Sequence, residues 1–111
     1  MNRSPKHRRS LIKTLCTQLV THERIFTTLA KAKELRPHIE RLIQKAKRLD
    51  SSDHLYLRQN LTTSVAIKKM KEEIAPRFRL LPAGFVRVEN RGTRVGDKAQ
   101  MGMIEIMGNE Y

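Results

Sequence analysis

The chain contains one cysteine, no tryptophan and only 5% aromatic residues in 111 positions. A single thiol, Cys16, excludes an internal disulfide and cannot build a thiolate metal site. With so few rings the core has to be aliphatic, and Phe26, Phe78 and Phe85 are expected to be spent there. The array of stacked aromatics used by single-strand binders is therefore not expected. No apolar run approaches the ~20 residues of a membrane span. There is no Gly-rich phosphate loop and no nucleophile elbow. His7, His22, His38 and His54 are scattered, and no two have a metal-ligand spacing. Glu72 and Glu73 are adjacent, so on a helix they point to different sides and read as solvated. His22–Glu23 is the one conceivable acid–base pair. No nucleophile or cofactor motif accompanies it, so a structural or phosphate-contacting His22 is favoured. No catalysis, cofactor, metal, membrane or small-molecule substrate is expected.

Acid is scarce as well. Eleven Asp plus Glu stand against 23 Lys plus Arg, for a formal net charge of +12. A small domain with that charge repels itself unless a polyanion neutralises it. Nucleic acid is the first candidate and an anionic membrane surface the second. The 39% apolar content is compatible with one folded domain spanning 1–111. The first 22 residues hold Arg3, Lys6, Arg8, Arg9 and Lys13 and no acid. That pattern fits a transit peptide or a basic RNA-binding arm, drawn at 1–9, kept in the mature chain.

From the N-terminus, Ser4-Pro5 is a helix start, since proline is tolerated in the first turn. Leu11, Ile12, Leu15, Cys16, Leu19 and Val20 then paint one helical stripe. Arg24–Thr28 reads as a strand. A second helix, about 29–49, carries Leu29, Ala32, Leu35, Ile39, Leu42, Ile43, Ala46 and Leu49 on its apolar side. Pro37 lies inside it and is expected to kink it or split it after Arg36. Asp50 to Asp53 is a polar break. A short helix over about 54–60 follows, then a helix over 65–75 capped by Thr62-Thr63-Ser64 and ended by Pro76. Arg77 to Gly84 reads as a basic loop, 85–89 as a strand, 90–96 as a glycine-containing loop, and 101–107 as the last strand. The late strands form a hairpin. Two strands alone are marginal, so the early strand is expected to join them. The fold class is α+β, in the order α-β-α(3)-β(2), with a small three-stranded mixed sheet and helices packed on one face.

The chain is organised around the junction from strand to basic helix, Thr21 to Arg36. Thr27 and Thr28 stand at the N-cap place, where a hydroxyl can bond the first helical N–H groups or a phosphate. Lys31, Lys33 and Arg36 follow. With the N-terminal arm and the loops carrying Arg77, Arg79, Arg91 and Arg94, three basic regions flank the sheet. Such a spread suits a folded RNA read by shape and backbone. A free nucleoid or RNA-chaperone protein is the alternative, and a small RNA-modifying enzyme a third.

These residues also carry a resemblance. Asn2-Arg3 and His7-Arg8 come first, then Leu19-Val20 with His22-Glu23. Thr27-Thr28-Leu29 and Lys31-Ala32-Lys33-Glu34-Leu35-Arg36 follow. The C-terminal half has Ala75-Pro76-Arg77-Phe78, Gly84-Phe85 with Arg87, Arg94 with Gly96-Asp97, Ala99 with Met101, and Ile104-Glu105. In this order they resemble the bacterial-type large-subunit ribosomal protein family seventeen, over nearly the whole chain. The resemblance implies the same α-β-α(3)-β(2) fold and a structural protein on large-subunit rRNA near the peptide exit tunnel, beside other large-subunit proteins. The candidate rRNA contacts, from the basic regions and the resemblance together, are Asn2, Arg3, Lys6, His7, Arg8, Arg9, His22, Thr27, Thr28, Lys31, Lys33, Arg36, Arg77, Arg79, Arg87, Arg91 and Arg94. Gly84 and Gly96 are implied as turn residues. Three departures stand out: no basic lead-in before Asn2-Arg3, Pro37 inside the helix, and Ala83-Gly84-Phe85-Val86-Arg87 in place of Gly-Gly-Tyr-Thr-Arg. They point to a drifted organellar member, in a mitochondrial ribosome rather than the bacterial cytoplasm. Because the match begins at Asn2, residues 1–22 are expected to belong to the mature protein.

Overall fold

A computed structural model describes residues 5–48 and 51–108. Asn2 and Arg3, two of the expected RNA contacts, lie outside the described residues. The elements are α1 (Pro5–His22), β1 (Arg24–Thr28), α2 (Leu29–Arg48), α3 (Ser51–Asn60) and α4 (Ser64–Lys69). A π-helical turn (Met70–Ile74), α5 (Ala75–Arg77), β2 (Val86–Thr93) and β3 (Gln100–Ile106) complete the chain. The run from α4 through α5 is one continuous helical stretch, so the order is α-β-α(3)-β(2), as expected.

The sheet has the order β1-β3-β2. It is antiparallel throughout, not mixed. Arg24 stands opposite Glu105 and Ile25 opposite Ile104. A parallel β1 would break both the charge pair and the apolar pair. β2 also runs further than the expected turn. A bulge between Asn90 and Thr93 carries the ladder through what reads as loop sequence. There the Asn90 side-chain oxygen accepts the Gly92 N–H at 2.9 Å.

Strand alternation decides which residues meet the helices. Ile104 and Ile106 are fully buried in the main core beneath α2 and α1. Gly102 brings α2 close: a Cβ there would lie 3.0 Å from Leu29 Cα. The alternate residues, Arg24, Phe26, Arg87 and Glu89, form the outer face. Phe26 is consequently not a core residue but 63% exposed. Phe78 and Phe85 are buried as expected, ring centroids 5.0 Å apart. α2 buries Ala32, Leu35, Ile39, Leu42, Ile43 and Ala46. α1 buries Cys16, Leu19 and Val20 against them.

Pro37 does not split α2, which runs unbroken from Leu29 to Arg48. Proline removes the bond to the carbonyl four residues back, at Lys33. Both residues are exposed, so water can satisfy that carbonyl. Pro76 likewise does not end its helix. Its missing N–H frees the Glu72 carbonyl and its ring crowds it. The backbone widens ahead of it, with the Ala75 N–H reaching the Met70 carbonyl, and α5 continues to Arg77. Thr63 caps α4, accepting the Ala66 N–H at 3.1 Å.

Candidate nucleic-acid interface

The expected RNA contacts divide into two sets once their partners are known. The first set is already held in ion pairs within the protein. Glu105, on the central strand, is buried and accepts Arg24 through Nε at 3.0 Å and Nη2 at 2.6 Å. Its second oxygen accepts Arg87 Nη2 at 2.6 Å. The Arg24 bond holds its carboxyl below the ordinary range, against the opposing effect of burial, with Arg87 adding to the effect. Arg91 pairs with Glu89 at 3.1 Å, also donates to Met103 Sδ, and lies 6.0 Å from the Phe26 ring. Arg94 pairs with Asp97 at 2.6 Å and holds that carboxyl at about 2. The late arginines thus serve largely to balance acids.

Arg77 belongs to the same set. α1 is followed by Glu23, a non-glycine residue at φ 65°, whose N–H bonds the Leu19 carbonyl. That left-handed residue turns the chain into β1. Its carboxylate accepts Arg77 at 2.6 Å and pairs with Lys69 at 3.1 Å. Burial pulls the Glu23 carboxyl up, but the two cations outweigh it and its pKa lies below the ordinary value. Glu23 is therefore a latch between α1, α4 and α5 rather than half of an acid–base pair with His22. His22 itself is the exposed last residue of α1.

The second set lies on the helices. Among the described residues no ion pair ties down Lys6, Arg9 or Lys13 on α1, or Lys31, Lys33, Arg36 or Arg41 on α2. Arg79, exposed in the loop after α5, is also unpaired among them. Arg8 is partly neutralised by Glu34 at 3.2 Å, a bridge that joins α1 to α2. His7 is exposed on the first turns of α1. Lys33 and Arg36 share the exposed side of α2, while Lys31 is half-buried on the opposite flank. Thr28 acts as the α2 cap: its hydroxyl accepts the Lys31 N–H at 3.3 Å. Thr27 pairs with Gly102 in the sheet and is half-buried. Gly84 and Gly96 have φ of 77° and 107°, as turn residues require.

The structure adds residues that were not among the expected contacts. A cleft of about 830 Å³ opens between α1, α2 and α3. Arg8 and Arg9 reach it, together with Lys13, His38 and Arg41. Spacing carries a signal for these: Lys13 is four residues after Arg9, and His38 and Arg41 are four and seven after Glu34, which puts each group on one helical face. Among the described residues no three His, Cys, Asp or Glu side chains could hold a metal ion. Among the described residues no helix is long and apolar enough to cross a membrane.

Comparison with known proteins fits this geometry. Residues 11–107 match the family described as Ribosomal protein L17. A protein of Neorickettsia sennetsu named large ribosomal subunit protein bL17 is 42% identical over 108 residues, covering 96% of this chain and 92% of its own. One of Koribacter versatilis with the same name is 37% identical over 110 residues, 99% of this chain and 68% of its own. The Dictyostelium discoideum protein named large ribosomal subunit protein bL17m is 39% identical over 110 residues, 99% of this chain and 60% of its own. With a family match over most of its length and relatives of this identity, the chain belongs to the ribosomal protein L17 family.

Proposed function

We propose that the protein is a non-catalytic structural constituent of the large ribosomal subunit that holds rRNA against its helical side, near the peptide exit tunnel. One observation carries the choice of side. The arginines of the sheet and hairpin are held in ion pairs, whereas Lys6, Arg9 and Lys13 on α1 and Lys31, Lys33, Arg36 and Arg41 on α2 are in none among the described residues. An unpaired, exposed cation costs little to bring to a phosphate, because no existing pair has to be broken. The helices also space their cations along rigid rods, which suits backbone contacts that set register rather than read sequence.

If Lys6, Arg9, Lys13, Lys31, Lys33, Arg36 and Arg41 each meet a phosphate, log affinity should fall with log salt at a slope of about −6. The drifted loop Ala83–Arg87 favours a mitochondrial particle over a bacterial cytoplasmic one. Co-sedimentation of the tagged protein with large subunits from its native source tests the assignment. Retention at moderate salt, in mitochondrial particles, is expected. Release of the protein as a free species that binds any RNA or DNA equally would favour a nucleoid or chaperone role instead.

A further inference from the structure

The cleft between α1, α2 and α3 has features that backbone contacts do not need. Phosphates can be met on a convex basic ridge, but this site is concave and about 830 Å³ in volume, ample for one nucleotide on the scale of ligand pockets. Its floor is apolar, formed by Ile12, Cys16 and Leu42. Burial pushes the Cys16 thiol up to about 12, so the floor is uncharged at neutral pH. Tyr56 lines one wall, with the Lys45 ammonium 5.5 Å from its ring centroid. Beside it stand two amides, Gln59 and Asn60. Asn60 is fixed by its Nδ2 donating to the Tyr56 carbonyl at 2.8 Å. Arg9, Lys13 and Arg41 supply cations around this floor, none in an ion pair among the described residues.

Apolar floor, aromatic wall, amides and surrounding cations are together the chemistry of a nucleotide. A base has apolar faces and polar edges, and it is flanked by phosphates. A base inside a paired helix is stacked and cannot enter. A bulged or looped base is already unstacked, so its extrusion costs least. We propose that this cleft receives one unpaired, extruded nucleotide of the bound RNA. The base lies over Ile12, Cys16 and Leu42 beside Tyr56, with its edge toward Gln59 and Asn60 and its flanking phosphates on Arg9, Lys13 and Arg41. The proposal rests on the rRNA-binding function above and adds what that function does not require, a preference for an interrupted helix.

The test uses the full chain and a 20-base-pair RNA duplex, fully paired or carrying a single-nucleotide bulge of each of the four bases. At least one bulged duplex is expected to bind about tenfold tighter than the paired one, from one stacked base. Tyr56→Leu removes the ring, and Gln59→Trp fills the cleft from an exposed position on α3. Both should reduce the preference to less than about twofold, while affinity for the paired duplex stays that of the wild type. Equal binding of paired and all bulged duplexes by the wild type overturns the cleft proposal and leaves the RNA-binding function standing. Binding to none of them overturns both. Retention of the preference by folded variants also overturns it. Should either variant fail to fold, the wild type decides through a photoreactive 4-thiouridine placed in the bulge. Cross-links within residues 12–16, 41–42 or 56–60 support the site, and cross-links confined elsewhere refute it.

Discussion

Replacing Glu105 by Gln removes one negative charge from the middle of the sheet, and its consequences can be worked from the geometry. The carboxylate side chain is 2% exposed and both oxygens are engaged, one by Arg24 and the other by Arg87. Breaking a buried charge pair typically costs about 3–5 kcal/mol, because the partner is stranded. Here the stranded groups are arginines with about half of their side chains exposed, 50% and 43%, so both can turn toward water. Glutamine also keeps one carbonyl oxygen as an acceptor. The expected loss is therefore smaller, about 1.5–3 kcal/mol at neutral pH, the worth of hydrogen bonds to charged groups. The pH dependence has a definite sign. The folded Glu105 carboxyl titrates below its unfolded value. Its contribution is fully present above the unfolded pKa of about 4.3 and is lost as pH falls through the lower folded value. Urea denaturation of both proteins from about pH 7 to about pH 2 should show a gap that closes in acid. A variant within about 0.5 kcal/mol of wild type at neutral pH, below the worth of a charged hydrogen bond, would refute this account. So would a gap that stays constant down the whole pH range. Glu23, whose carboxyl is also lowered, keeps its own acid sensitivity in both proteins.

Three other outcomes follow from particular contacts. Gly102→Val should destabilise by about 1–3 kcal/mol or more, since even a Cβ would sit 3.0 Å from the Leu29 backbone; unchanged denaturation would show that α2 can lift from the sheet freely. Pro37→Ala should stabilise by about 2 kcal/mol, as an interior helical proline costs about 3 and returns part of that by restricting the unfolded chain; thermal unfolding measures it. Cys16, buried with its thiol pushed up to about 12, should resist a thiol reagent in the native protein and react once denatured; rapid native labelling would contradict the packing.

Periodicity made most of the architecture legible, because α1 and α2 carry long apolar stripes that strands cannot imitate. The early strand had a physical reason to join the hairpin, and it does. Direction was not legible: a long helical connection permits either, and the choice rests on Arg24 meeting Glu105 across 81 positions. Proline misled twice. Pro37 and Pro76 are local helix breakers by chemistry, but packing on either side holds both helices together, one where the proline and the carbonyl it leaves face solvent and one through a π turn. Phe26 was misplaced because composition says how many rings there are, not which face of β1 each takes. The basic regions were recognisable, but their division was not. Arg77, Arg87, Arg91 and Arg94 are no less basic in sequence than Lys33 and Arg36; their pairing sets them apart, with the distant Glu23 and Glu105 for the first two and with the near neighbours Glu89 and Asp97 for the others. Thr17 was silent for the same reason. It is buried and its hydroxyl accepts the Thr62 N–H at 2.9 Å, tying the turn before α4 to α1.

The most direct measurement is the occupancy of large subunits by two tagged variants expressed in the native source, read by quantitative mass spectrometry of salt-washed particles. Lys33→Gln/Arg36→Gln removes two unpaired cations from the exposed side of α2 and touches none of its buried residues. Arg94→Gln removes one cation that Asp97 already balances on the hairpin. With helicity of both variants matching wild type by circular dichroism, occupancy should fall severalfold for the first, as two phosphate contacts are lost, and stay near wild type for the second. Normal occupancy by the folded Lys33/Arg36 variant, with loss confined to Arg94→Gln, would contradict the account and move the RNA to the hairpin side.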